Sequence, residues 1–326
     1  MSGGGFDLSL IIVGGRARLC QQYSEFATLE IYLGQSQEAI QTLLMKMPHA
    51  IILITSRHYE KEYERLQYLN GECYILYYTE RAMRCGHGQL PDVSGVNKIP
   101  KTLHYIWFGH TIPSEYQKYI DGWKKWHPDW EIIKHDETNY NINKHPYTKE
   151  AYQRKRFELV SDYARLDILH EYGGIYLDCD VEVIKSLDRF LTDDCFLGFT
   201  AAYQGLVSFH FSIMGAKKRH PLCKKLMDTY DTLTMEDMPH INVHQKLVQD
   251  IGFCMENRMQ WIDGISVYPI DVFTPVGWIG DFINPTENTH AIHHWGGAWH
   301  DNERNNVRKE AIKRTNNEFL VRNGVI

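Results

Sequence analysis

The stretch Ser161–Asp188, SDYARLDILHEYGGIYLDCDVEVIKSLD, decides how this chain folds. Leu159, Tyr163, Leu166, Leu169 and Tyr172 recur at near-helical spacing, which predicts a helix with that row against the core. Asp162 and Arg165, three apart, become neighbours on its surface. Gly173 marks the helix stop, and Gly174 lets the chain reverse into a strand. Along IYLDCDV, alternation sends Ile175, Leu177, Cys179 and Val181 to one face and Tyr176, Asp178 and Asp180 to the other. Carboxylates two apart on a strand lie about 7 Å from one another and repel when bare. A divalent cation held by them removes that penalty. A lone DxD triplet is a weak signal, and a solvated strand end is its plain alternative. Its context is more telling: an apolar strand that follows a helix ends where an α/β sheet places its ligand site.

Working outward, the upstream part alternates short β-rich apolar runs with helical spacing. Leu8–Val13, Leu29–Leu33, Ala50–Thr55 and Cys73–Tyr78 read as strands, with helices over Ser36–Met47 and Tyr59–Leu69. That pattern predicts a small parallel α/β unit, half of a doubly wound fold, over residues 1–84. Gly14-Gly15 follows the first strand, but no GxGxxG completes it, so a tight turn is the better reading than a nucleotide loop. Residues 85–100, rich in Gly and Pro without a period, form a linker. A second α/β pattern spans 101–302: a strand at Thr102–Phe108, a helix from Ser114 to Trp126, and a strand at Trp130–Lys134. Trp123 and Trp126 are expected to pack in the core. Residues 303–326 form a basic tail, read either as a solvated helix or as a peripheral contact with an anionic membrane.

Composition narrows the function classes. A chain of 326 residues with a formal charge of −6 lacks the basic balance of a general nucleic-acid binder. Its seven cysteines include no CxxC and suit a reducing compartment, so a cytoplasmic location is expected. The Asn-x-Ser/Thr match at Asn284–Thr286 has proline in the middle and cannot be glycosylated. No apolar run approaches the roughly 18–20 residues that span a bilayer. Near the C-terminus, AIHHWGGAWHD (Ala291–Asp301) combines adjacent histidines, glycines and tryptophans. Histidine supplies a neutral nitrogen ligand, and only one of His293 and His294 can point inward if the segment is extended.

Four blocks in order carry a resemblance: IPKTLHYIWFG, FELVSDYARLDILHEYGGIYLDCDVEVIKSLD, GAKKRHP and HAIHHWGGAW. Together they resemble the DXD-containing sugar transferases of bacterial capsule and O-antigen synthesis and the yeast Golgi mannosyltransferase that starts outer chains. The glucosylating domains of large clostridial toxins are more distant kin. The resemblance covers about residues 99–301. It implies a GT-A fold, a nucleotide-sugar donor, a Mn²⁺ or Mg²⁺ ion and retention of configuration. It also implies that Trp107 stacks on the donor base with the Ile106 backbone nearby, and that Asp162 and Arg165 hold the donor sugar and its phosphate side. Tyr176 and Trp299 would line the donor site. Asp178 would reach ribose, sugar or the metal, Asp180 would ligate the metal directly, and His294 falls at the distal metal ligand. Relatives commonly have serine where Ala298 stands, which puts one hydroxyl contact in doubt.

The donor so implied is a UDP-sugar carrying a hexose or N-acetylhexosamine, with a GDP-mannose donor as the alternative. The acceptor is a glycan or lipid-linked oligosaccharide in surface polysaccharide synthesis, with Asn242 and Gln245 as candidate acceptor contacts. Two other classes stay open. One is a metal-dependent hydrolase built from His240, His244, His293, His294 and Asp180. The other is a non-catalytic binding module.

Overall fold

The computed structural model describes residues 10–13, 29–32, 42, 51–54, 72–74, 90–200, 207–234, 241–254, 256–276 and 285–296. The expected helices at 36–47 and 59–69, the Gly14-Gly15 turn, most of the first half of the linker and the basic tail lie outside them. Four short strands of the first part are described: β1 Leu10–Val13, β2 Leu29–Tyr32, β3 Ile51–Ile54 and β4 Glu72–Tyr74. They pair in parallel in the order β2-β1-β3-β4, the sheet expected of a half doubly wound unit.

The larger sheet begins with β5, Thr102–Ile106. Helix α1, Ser114–Trp126, follows and returns to β6, Glu131–His135, which pairs in parallel with β5. Helices α2, Pro146–Gln153, and α3, Phe157–Tyr172, lead into β7, Gly174–Leu177, parallel to β5 on its other side. Then come β8 Val181–Val183, β9 Cys195–Thr200, β10 Ser208–Ala216 and α4 Pro221–Asp228. The last described elements are α5 Ile241–Asp250, β11 Gln260–Ile262, β12 Ile265–Tyr268, the short α6 Ile270–Phe273, and β13 Ala291–His293. Seven strands order as β11-β12-β9-β10-β7-β5-β6, and β13 pairs antiparallel with β8 in a separate ribbon. β10 runs antiparallel between β7 and β9. The result is a mixed α/β sheet with parallel β6-β5-β7 pairing and β10 running antiparallel beside β7.

Alternation along β7 sorts the core into two layers. Ile175 and Leu177 pack with Tyr116, Ile120 and Trp123 of α1, whereas Tyr176 packs with Leu159, Tyr163, Leu166 and Leu169 of α3. The helices therefore cover opposite faces of the sheet. The double glycine is required where α3 meets β7. Gly173 and Gly174 have φ of 70° and 107°, and a Cβ on Gly174 would lie 2.7 Å from the Thr102 carbonyl of β5.

Three expectations need correction. Tyr172 is 58% exposed, because it falls on the last turn of α3, beyond the sheet. Trp126 is 39% exposed at the end of α1, while Trp123 is fully buried and donates its indole N–H to the Val181 carbonyl at 2.8 Å. The acidic triplet is not strand: β7 stops at Leu177, Asp178 pairs through its backbone N–H with Ser212 of β10, and Val181 N–H closes a turn onto the Asp178 carbonyl at 3.1 Å.

Candidate active site

The turn gathers its acids against α3 and β13. Arg165, buried on α3, places Nη2 2.8 Å from Asp162 Oδ1 and 3.5 Å from Asp178 Oδ1. Its other donors are fixed by backbone: Nη1 donates to the Phe211 carbonyl at 3.0 Å and Nε to the Ser161 carbonyl at 3.2 Å. The guanidinium also lies 4.8 Å from the centroid of the Tyr176 ring. Tyr176 donates its hydroxyl to Asp178 Oδ1 at 2.6 Å, so this side chain holds an acid in place and is buried beneath the site.

Asp180 is held from the other side. The Gly296 N–H donates to its Oδ2 at 2.6 Å, and His293 Nε2 stands 3.2 Å from its Oδ1. A side chain at Gly296 would overlap the Tyr116 hydroxyl at 2.3 Å, so glycine alone allows this amide approach. The preceding residue, Trp295, takes a left-handed φ of 54°, which sharpens the turn between His293 and Gly296. One ligand atom from each of Asp178, Asp180 and His293 lies within 4.8 Å of the others, and among the described residues this is the one such cluster.

Of the two adjacent histidines, His293 is the one turned inward. β13 pairs His293 with Val181, which points the ring at the acids. His294 faces the opposite way, as strand alternation demands. It stacks on Tyr119 of α1 with centroids 4.5 Å apart and reaches Glu182 Oε2 at 2.9 Å. The imidazole brought to the two acids is therefore that of His293, where the resemblance implied His294.

Electrostatics mark the site as short of positive charge. Asp162, Asp178 and Asp180 stand together with one guanidinium, Arg165. Asp162 keeps 39% of its side chain exposed, yet desolvation by the surrounding protein pushes its carboxyl up to about 6 against the pull of Arg165. Burial also works against a charged Asp180, but His293 and the Gly296 amide outweigh it and hold that carboxyl well below the usual range. Two carboxylates and an imidazole, with a surplus of negative charge, form a donor set that fits a divalent cation such as Mn²⁺ or Mg²⁺.

The end of β5 abuts the acid turn, since the Ile106 carbonyl accepts from Cys179 Sγ at 3.5 Å. Trp107 is half-buried there, edge-on to Tyr116 at 5.7 Å and to His110 at 5.2 Å. Its indole N–H is buried with no hydrogen-bond partner among the described residues. Trp299 lies outside the described residues, as do His240 and the side chain of Asn242. Gln245 is not open to an acceptor: its amide accepts from the Phe209 N–H and donates to the Phe209 carbonyl, both at 2.7 Å. His244 packs against Phe211 and Tyr230 rings, so the four-histidine hydrolase site is not assembled among the described residues.

Sequence reasoning missed His210, a single histidine in the apolar run SFHFSIMGA, where a plain core residue is the default. It also missed the Phe211 and Ser212 carbonyls, because backbone groups leave no trace in residue type.

Comparison with known proteins agrees with this geometry. Residues 113–197 match the family described as "Glycosyltransferase sugar-binding region containing DXD motif". Inositol phosphoceramide mannosyltransferase 1 of Schizosaccharomyces pombe is 30% identical over 38% of this chain and 45% of its own length. The uncharacterized glycosyltransferase L373 of Acanthamoeba polyphaga mimivirus is 31% identical over 38% of this chain and 52% of its own. The chain therefore spans about half the length of these curated relatives. Among solved structures, the PaToxG glycosyltransferase aligns at a TM-score of 0.38 and 19% identity, over 47% of this chain and 70% of that one. The motif match and the curated relatives thus make residues 113–197 similar to the sugar-binding region of DXD-motif glycosyltransferases, in the segment that carries Asp162, Arg165, Asp178 and Asp180.

Proposed function

We propose that the chain transfers a sugar from a nucleotide-sugar donor to an acceptor hydroxyl, with a divalent cation at Asp178, Asp180 and His293. The observation that carries this reading is the charge shortfall of that cluster beside Arg165. Breaking the bond between sugar and diphosphate builds negative charge on the leaving oxygen. The Arg165 guanidinium, locked by Phe211 and Ser161, offsets that charge without having to reorganise. A bound cation supplies further neutralisation of the diphosphate. Asp162, beside Arg165 and partly exposed, is positioned to accept hydrogen bonds from donor-sugar hydroxyls. Trp107 offers an indole face for the base and an unpaired N–H for a polar group of the donor. The acceptor attacks from the face that the diphosphate leaves, so configuration is retained; trapping a covalent glycosyl-enzyme would rule this out.

The donor is read as a UDP-sugar carrying a hexose or N-acetylhexosamine. A second reading, mannosyl transfer from GDP-mannose, is favoured by the similarity to inositol phosphoceramide mannosyltransferases of Schizosaccharomyces pombe. The acceptor is a glycan or a lipid-linked oligosaccharide in polysaccharide synthesis, met from the cytoplasmic side. No described helix is long and apolar enough to cross a membrane. Residues 101–302 would form the catalytic domain, with 1–84 as an accessory unit. Donor hydrolysis by the full chain, screened across UDP- and GDP-sugars with Mn²⁺ or EDTA, tests the proposal. Release of one nucleotide that EDTA suppresses is expected; no release from any donor, or release indifferent to EDTA, defeats it.

A further inference from the structure

β10 is the strand that holds the site together. Its residues 210–212 meet three separate parts of the site: Phe211 through its carbonyl to Arg165, Ser212 through its carbonyl to Asp178 N–H, and His210 through its side chain to His293. The stretch is free to do so because its pairing with β9 is irregular. His210 is opposite Gly198 and Gly215 opposite Phe196, so β10 bulges between them. Bulges of this kind re-aim side chains near functional sites.

His210 is 4% exposed, and its Nε2 lies 3.1 Å from His293 Nδ1; its own Nδ1 is buried with no partner among the described residues. A histidine of no functional consequence is seldom kept in an apolar strand with one nitrogen unsatisfied. The bond has a consequence for His293. With Nδ1 occupied by His210, only Nε2 remains to face Asp180, and it does so at 3.2 Å. The Trp295 ring, 4.2 Å from that of His293, closes the same imidazole from another direction. The ring is thereby fixed in both rotation and choice of nitrogen.

We infer that His210 is the positioning residue that presents His293 Nε2 to a divalent cation at Asp178 and Asp180. The inference rests on the metal reading proposed above and deepens it. Ring-orienting partners of ligating histidines commonly change metal affinity by about 10–100-fold when removed.

The test is Mn²⁺ binding to the full chain without donor, followed by loss of the free-ion paramagnetic resonance signal. His210→Leu is expected to bind Mn²⁺ about 10–100-fold more weakly than the wild type. Glutamine places an amide near the position of histidine Nε2 and asparagine does not, so His210→Gln is expected within about three-fold of wild type and His210→Asn well below it. Unchanged affinity in His210→Leu overturns the positioning role. If His210→Leu loses its native circular dichroism, the amide pair decides, and a His210→Gln no tighter than His210→Asn overturns it. No Mn²⁺ binding by the wild type overturns the metal reading itself, and with it this role.

Discussion

Among the described residues, two buried histidine pairs have nearly the same hydrogen-bond length and different endings. His104 of β5 and His135 of β6 meet at 3.0 Å, Nδ1 to Nε2, and His210 of β10 and His293 of β13 meet at 3.1 Å, Nε2 to Nδ1. Beyond the first pair stands the Gly173 carbonyl, which accepts from His104 Nε2 at 2.9 Å. Beyond the second stands the Asp180 carboxylate. A carbonyl can only accept, so it fixes the His104 tautomer and the pair ties the α3 terminus to the sheet. The carboxylate belongs to a cluster with surplus negative charge, where a cation can take the place of the His293 proton. The lesson is that a histidine pair is structural or functional according to what terminates it.

Breaking the ending of the second pair has the largest expected effect. Asp180→Ala should lower nucleotide release by about 10²–10³-fold and remove Mn²⁺ binding, with the circular dichroism of the wild type retained. His293→Ala should follow, with Mn²⁺ affinity down by roughly 10–100-fold. His294→Ala should stay within a few-fold, because that ring is committed to Glu182 and Tyr119. A larger loss from His294→Ala than from His293→Ala would reverse the assignment.

The first pair should respond in stability and not in metal binding. His104→Leu leaves the Gly173 carbonyl and a His135 nitrogen without their partner, a cost of about 1–3 kcal/mol in urea denaturation, at unchanged Mn²⁺ affinity. A smaller, pH-dependent effect sharpens the comparison. Burial pushes His104 and His135 down to about 4, and it does the same to His220 and His290. Unfolded, these rings titrate near 6.5, so the unfolded chain takes up protons first as the pH falls. Their contribution to stability is complete above about pH 6.5 and is lost as the pH drops from there through about 4. Denaturation midpoints that do not fall across that window would show that the rings are not held neutral.

Much of this architecture was legible locally. The helix over Ser114–Trp126 and the helix-glycine-strand run from Phe157 to Leu177 follow from apolar spacing and the φ > 0 demand of Gly173 and Gly174. Asp162 and Arg165 were expected as surface neighbours at i and i+3, and they meet at 2.8 Å. The misreadings have a common origin. Strand alternation was extended through Asp178–Asp180, but backbone bonds to β10 and within the turn end the strand earlier. Gln245 looked like a free amide until the Phe209 backbone claimed it.

By itself, the sequence determined the local elements and the presence of a charged helix face followed by a pair of spaced acids, because periodicity, glycine conformation and i,i+3 spacing act within a few residues. Only the tertiary structure decided that His293 and not His294 faces the acids, and that His210 stands behind it. Those choices depend on the register of β13 against β8 and on the bulge of β10 against β9. Register is set by contacts between segments distant along the chain, and a shift of one residue exchanges the two faces.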